Sequence, residues 1–261
     1  PCPGNQTEGC FYRGLTYFEH TVEPWTCRIE SYGHGRSPLD AFGEITDFAS
    51  LPGADWLAGR TEVKTLQTTP YFADTPAALA PDPNQRRVIE SVPPFDWERQ
   101  ILFAKPARDD EPLFVLVRDD FTAPCPPPTV SYWVMASDLQ MLGRQAHATG
   151  QFGIDLDLYA ALPAEPALSR WQWEHKNWGG ERQLCLRVSQ PQAGPFLVAL
   201  FPRKAADPAP VIEPLAAGNA VRVTVPQAAG EAWVCHGVLT AGEPMTVADG
   251  EIRIEARAAA L

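Results

Sequence analysis

Trp97-Glu98-Arg99-Gln100-Ile101-Leu102-Phe103-Ala104-Lys105 and Leu113-Phe114-Val115-Leu116-Val117-Arg118-Asp119-Asp120-Phe121, joined by the polar loop 106–112, decide the fold class. Residues 101–103 and 113–117 are near-continuous apolar runs bounded by turn residues, the pattern of strands buried on both faces. A buried helix is the competing reading. The runs are too short for it, and the prolines flanking the loop would break it. The stretch reads as an antiparallel pair in the middle of a sheet. Arg99 and the Arg118-Asp119-Asp120 group fall at the strand ends, where charge reaches water or pairs locally.

Upstream, residues 1–40 are irregular, with 17–22 and 25–30 as short strands. Residues 43–49 alternate apolar and polar side chains at period two, a half-buried strand. After the turn at Pro52-Gly53 the pattern continues through 54–59. Residues 68–96 are rich in turn formers and read as a long surface excursion that holds a strand near 87–92.

Downstream, Pro124 and Pro126-Pro127-Pro128 force an extended connector. Residues 130–135 follow as a strand, and 139–147 as a strand or a short helical turn. In 153–159, Ile154, Leu156 and Leu158 share one face, and Asp155, Asp157 and Tyr159 the other. The two aspartates invite a calcium or acid–base role, but no Gly-punctuated calcium loop surrounds them, so a solvated strand face is the simpler reading. Residues 181–189 and 194–201 read as a strand pair, and 220–225, 232–239 and 251–256 as further short strands between Gly or Pro turns. The expected fold is all-β: a large, supersandwich-like, two-sheet antiparallel β-sandwich with long Pro/Gly-rich loops. Residues 1–40 form its entry segment and 41–261 the sandwich domain.

The 261 residues carry a formal net charge of −11. That disfavours nucleic acid and anionic membranes as partners, since both demand a basic face. No apolar run approaches the roughly 20 residues of a membrane span. The six cysteines form no CxxC pair, which argues against a zinc ribbon. Two readings of them stand: buried thiols, or disulfides such as Cys2–Cys10 or Cys10–Cys27. There is no GxSxG, Walker loop, HExxH or dinucleotide fingerprint, and the sequence names no catalytic residue. The aromatic concentration is Trp171-Gln172-Trp173-Glu174-His175-Lys176-Asn177-Trp178. Tryptophans fill cores, and when exposed they stack on sugar rings. Trp171, Trp173, His175 and Trp178 are therefore the candidate substrate-binding residues.

Six segments carry a family resemblance: Gly43-Glu44-Ile45-Thr46-Asp47-Phe48, Asp55-Trp56-Leu57-Ala58-Gly59, residues 97–105, residues 114–121, Gly153-Ile154-Asp155-Leu156-Asp157, and Leu200-Phe201-Pro202-Arg203. In this order they resemble the C-terminal β-sandwich half of heparinase II/III-like polysaccharide lyases, over roughly residues 40–240. The resemblance implies a large two-sheet β domain that follows an α/α toroid. It also implies β-elimination on a uronate-containing polysaccharide, with a toroid tyrosine as acid and base and a β-domain histidine lining the cleft. The physical demand is that the charge developing beside the uronate carboxylate be offset. No run of long amphipathic helices here matches the toroid, so this chain is expected to be inactive without it. Glu19-His20-Thr21-Val22 resembles the family's zinc-ligating strand with an Asn lost, which makes His20 the candidate metal residue and a structural zinc the expected cofactor. The expected partner is an acidic polysaccharide or another carbohydrate, and the expected location periplasmic or extracellular. The opening at Pro1 fits a leader already removed or a chain cut from a longer protein. A non-catalytic carbohydrate-binding or structural module is the alternative, and a hydrolase or epimerase on the same sandwich is a third, for which no carboxylate-pair motif is recognisable.

Overall fold

In the computed structural model, residues 18–22, 25–29, 43–69, 88–106, 108, 111–125, 128–150, 152–174, 182–227 and 230–261 are described. They fold as strands apart from turns and one 3-10 turn at Ala216–Gly218. The organising pair is β5 (Val88–Ala104) and β6 (Phe114–Phe121), antiparallel from Trp97 opposite Phe121 to Ala104 opposite Phe114. Upstream lie β1 (Phe18–Val22), β2 (Trp25–Ile29), β3 (Gly43–Ser50) and β4 (Ala54–Thr69). Downstream come β7 (Thr129–Val134), β8 (Ala136–Leu142), β9 (Gln145–Gly150), β10 (Ile154–Leu162), β11 (Ala167–Glu174), β12 (Arg182–Ser189) and β13 (Phe196–Lys204). These build a 13-stranded sheet in the order β11-β12-β7-β1-β2-β4-β5-β6-β13-β10-β9-β8, with β3 added on β4. The short strands β1 and β2 thus sit inside the large sheet, between β7 and β4. The remaining elements are β14 (Val211–Leu215), β15 (Ala220–Pro226), β16 (Ala232–Leu239), β17 (Met245–Asp249), β18 (Ile252–Ala256) and β19 (Ala258–Ala260). A four-stranded sheet runs β14-β15-β16-β19, and β17-β18 is a separate hairpin.

The central strands are apolar throughout because both of their faces are covered. On one face Leu102, Phe114, Leu116, Tyr159, Ala199 and Phe201 pack against Ile212, Val221, Val223 and Leu239 of the four-stranded sheet. On the other, Val117, Leu158, Phe196 and Val198 pack against Val130, Tyr132, Leu184 and Leu186 of the same large sheet, which curls back over itself. The curl brings its two outer strands together. Arg170 of β11 donates to Asp138 (2.9 Å) and to the Leu139 carbonyl (3.3 Å) of β8, occupying backbone that an open edge would offer to another chain. A Cβ on Gly237 would stand 2.7 Å from Leu116 Cδ1, so glycine at that point lets the two sheets approach. Polar side chains bridge them as well: buried Gln100 donates to the Thr240 carbonyl, and Arg118 to Asn219 and the Leu239 carbonyl.

Three local expectations are corrected, and one that stood open is resolved. Strands β12 and β13 do not pair; β12 lies between β11 and β7, and β13 between β6 and β10. Two apolar strands adjacent in sequence carry no label for their partner, and the curl of the sheet separates them. Residues 139–147 belong to a hairpin, β8 and β9, closed at Gly143. Strand β3 is not half-buried: Ile45 is 71% and Phe48 61% exposed. Among the described residues it pairs with β4 alone, and its register shifts between Ile45 and Asp47, so its alternation does not meet a described covering layer. Finally, the aspartate face of β10 is only partly solvated: Tyr159 packs in the core with residues of the four-stranded sheet, Asp155 is buried beside His147 and Arg203, and Asp157 is half-buried at a cleft. Asp119, expected to reach water or pair locally, pairs locally and is buried.

Candidate functional site

Folding β9 and β10 about Phe152-Gly153 places His147 opposite Asp157, and the β8–β9 register places Gln140 opposite His147. Directly opposed residues share a face, so the three form one cross-strand row. In the next strand Arg203 of β13 lies opposite Asp155. His147 Nδ1 is 2.7 Å from Asp157 Oδ1, a hydrogen-bond distance. His147 Nε2 is 3.5 Å from Asp155 Oδ2. Arg203 Nε donates to Asp157 Oδ2 at 2.7 Å, and its Nη1 lies 3.9 Å from Asp155. The row opens on a cleft of about 280 Å³ lined by His147, Asp157, Gln140, Gln145 and Tyr159 together with Leu142 and Pro210. Amides, an imidazole and a carboxylate beside apolar surface suit a small polyhydroxylated ligand. The histidine holds a carboxylate on each side and the arginine is spent on Asp157. Neither is left to neutralise a substrate carboxylate.

A second histidine is structural. His236 of β16 is buried beneath the β17–β18 hairpin and meets Asp249 through Nε2 at 2.7 Å, with Arg222 Nε 3.7 Å away. The His236 hydrogen bond holds the Asp249 carboxyl below its ordinary value of 3.8, burial opposes this, and the Arg222 charge assists. A depressed carboxyl stabilises the fold above its unfolded value and loses that contribution as pH falls through its folded value. Acidification through that range is therefore expected to loosen the β17–β18 hairpin, and Asp249→Asn to flatten the acid limb of the thermal midpoint against pH. An unchanged acid limb in the variant would exclude the pair as the cause.

The buried thiol of Cys235 is not a nucleophile. Burial pushes Cys235 up to about 12, so it stays protonated at neutral pH. Tyr132 is equally unsuited to proton transfer: burial pushes its phenol up, the Asp119 charge adds to this, and Arg99 offsets part of it.

Of the residues singled out from sequence, Trp171 and Trp173 occupy the outermost strand β11, opposite Cys185 and Gln183, but their side chains lie outside the described residues. His175 and Trp178 lie wholly outside them. His20 stands in β1 opposite Cys27, and its side chain is likewise not described. Among the described residues no group of three or more His, Cys, Asp or Glu side chains is arranged to hold a metal. His147, Gln140 and Arg203 escaped sequence reading. The available signal was the hairpin symmetry about 152, which pairs position 147 with 157.

The fold and the site together define an all-β sandwich protein with a polar cleft on the last three strands of its large sheet. No protein-family model matches the chain, and no curated protein does. Among solved structures it is similar to the heparan sulfate lyase HepC from Pedobacter heparinus, at 13% identity over 74% of this chain and 27% of that one, with a TM-score of 0.43. It is also similar to a heparinase III gene product, at 10% identity over 76% and 28% with a TM-score of 0.43. A further heparinase III structure matches at 8% identity over 76% and 27%, with a TM-score of 0.41. The chain thus spans little more than a quarter of the length of these proteins.

Proposed function

We propose that this chain is the β-sandwich portion of a polysaccharide lyase that cleaves a uronate-containing polysaccharide by β-elimination. One observation supports the reading above others. The six segments with the family resemblance fall on β3, β4, β5, β6, β13 and β10, an unbroken run of hydrogen-bonded neighbours. The last two segments end on Arg203 and Asp157, which pair with each other in the cleft cluster. In this reading His147 is the β-domain histidine that lines the cleft. It binds and orients a sugar unit through its own edge and through Gln140 and Gln145. Elimination needs a base and a free cation beside the uronate carboxylate. The cluster's arginine is already paired with Asp157, so both are assigned to the toroid of a longer polypeptide. A structural zinc on His20 belongs to the same proposal, and equal metal content in wild type and His20→Ala would remove it.

The test is the ultraviolet absorbance of unsaturated uronate released when the full-length polypeptide is given heparan sulfate, hyaluronan or alginate. The expected result is release from at least one polymer. His147→Ala is expected to raise KM several-fold with kcat nearly unchanged, the signature of lost uniform binding. Sugar binding without any unsaturated product would instead favour a carbohydrate-binding module, a reading for which the placement of Trp171 and Trp173 on the outermost strand speaks.

A further inference from the structure

The segment that joins β13 to β14, residues 205–210, has no buried side chain to anchor it: Ala205 to Ala209 are exposed and Pro210 is half-buried. Its place is set by polar contacts instead. Ala205 N–H donates to the Gly153 carbonyl at 2.8 Å, and Asp207 N–H to the Lys204 carbonyl at 2.9 Å. Arg203 supplies the rest. Its side chain is only 10% exposed, and Nη1 donates to the Asp207 carbonyl at 2.8 Å, with the Lys204 and Ala205 carbonyls at 3.4 Å. From the same guanidinium, Nε donates to Asp157 Oδ2 of β10 at 2.7 Å. One planar group thus ties the segment to the His147–Asp157 row.

Both parts line the cleft of about 280 Å³, through Ala209 and Pro210 of the segment and through His147 and Asp157 of the strands. Arg203 does not line it. The same contact orients Asp157, whose Oδ2 is held by Arg203 and whose Oδ1 meets His147.

We propose that Arg203 is a positioning residue for saccharide binding in the His147 cleft. It holds the 205–210 segment and the Asp157–His147 row in one fixed relation and so sets the shape of the cleft. The proposal rests on the reading of that cleft as a sugar site. Hydrogen bonds to a small polyhydroxylated ligand hold only over a narrow range of distances, so a wall that drifts lowers affinity although every contact residue is still present. Lysine cannot take over. Its ammonium keeps the charge and reaches one side or the other, but it lacks the planar fork that holds both in fixed directions.

The test uses the full-length polypeptide, with hexasaccharides of heparan sulfate, hyaluronan and alginate as calorimetric probes. Arg203→Ala and Arg203→Lys are each expected to weaken the hexasaccharide that the wild type binds by about tenfold. In cleavage of the corresponding polymer, KM is expected to rise and kcat to stay nearly constant. Amide hydrogen exchange at Ala205 and Asp207 is expected to quicken in both variants. Arg203→Ala strands the Asp157 carboxylate, so Arg203→Lys, which keeps a cation beside it and is expected to hold the thermal midpoint, separates positioning from folding. Wild-type affinity or unchanged exchange in Arg203→Ala would overturn the proposal, as would a fall in kcat at constant KM. Affinity lost in Arg203→Ala and retained in Arg203→Lys would reduce the role to the ion pair with Asp157 and overturn the two-sided hold. Binding that is lost in His147→Ala yet indifferent to both Arg203 variants would remove the positioning role and leave the cleft reading standing. No hexasaccharide binding by the wild type would bring down the cleft reading, and the positioning role with it.

Discussion

Replacing Asp119 by alanine is expected to lower the unfolding free energy by roughly 3–5 kcal/mol, the usual cost of stranding one half of a buried ion pair. Asp119 is 0% exposed and accepts three hydrogen bonds: from Trp97 Nε1 at 2.7 Å, from Arg99 Nε at 2.8 Å and from Arg99 Nη2 at 2.8 Å. Arg99 also lies over the Trp97 ring, 5.3 Å from its centre, and Trp97 stacks on Phe121. Without the carboxylate, a guanidinium only 21% exposed and a buried indole N–H both lack their acceptor. Asp119→Asn keeps one acceptor oxygen and is expected to cost about half as much. Urea denaturation of the three proteins checks this. A loss below about 1 kcal/mol in the alanine variant would mean that water replaces the carboxylate and that the network is not buried in solution.

Gly150→Ala is the second large effect. Its Cβ would fall 1.6 Å from the Ile154 carbonyl oxygen and 2.8 Å from the carbonyl carbon. These are backbone atoms of the same hairpin, so no side-chain rotation relieves the clash, and the β9–β10 turn must open. Opening it breaks the Gly150–Asp155 hydrogen bond and releases Asp155 from the cluster. The expected cost is about 2–4 kcal/mol. Gly53→Ala is the control, since nothing lies within 4 Å of the Cβ it would add. It is expected to stay within about 0.5 kcal/mol of wild type. Equal thermal midpoints for the two variants would show that the hairpin tolerates the shift.

Legibility differed between fold and site for a physical reason. Near-continuous apolar runs at 101–103 and 113–117 announce strands covered on both faces, and β5 and β6 are central and antiparallel in register. Period-two alternation likewise set Asp155 and Asp157 on one face of β10. What covers that face is a non-local matter. Tyr159 on that face packs against strands more than fifty residues downstream, and alternation alone is the same for a solvated face and a covered polar one.

The amino-acid sequence by itself therefore determined the all-β class, most strand positions and the central pair, because hydrophobic periodicity is a local property of the chain. Only the tertiary structure decided which strands pair, that the large sheet curls onto itself, and that His147, Asp157, Asp155 and Arg203 meet. Those four residues come from three strands, and their encounter depends on register and sheet order. Both are settled by the mutual burial of distant apolar faces rather than by any spacing within the chain.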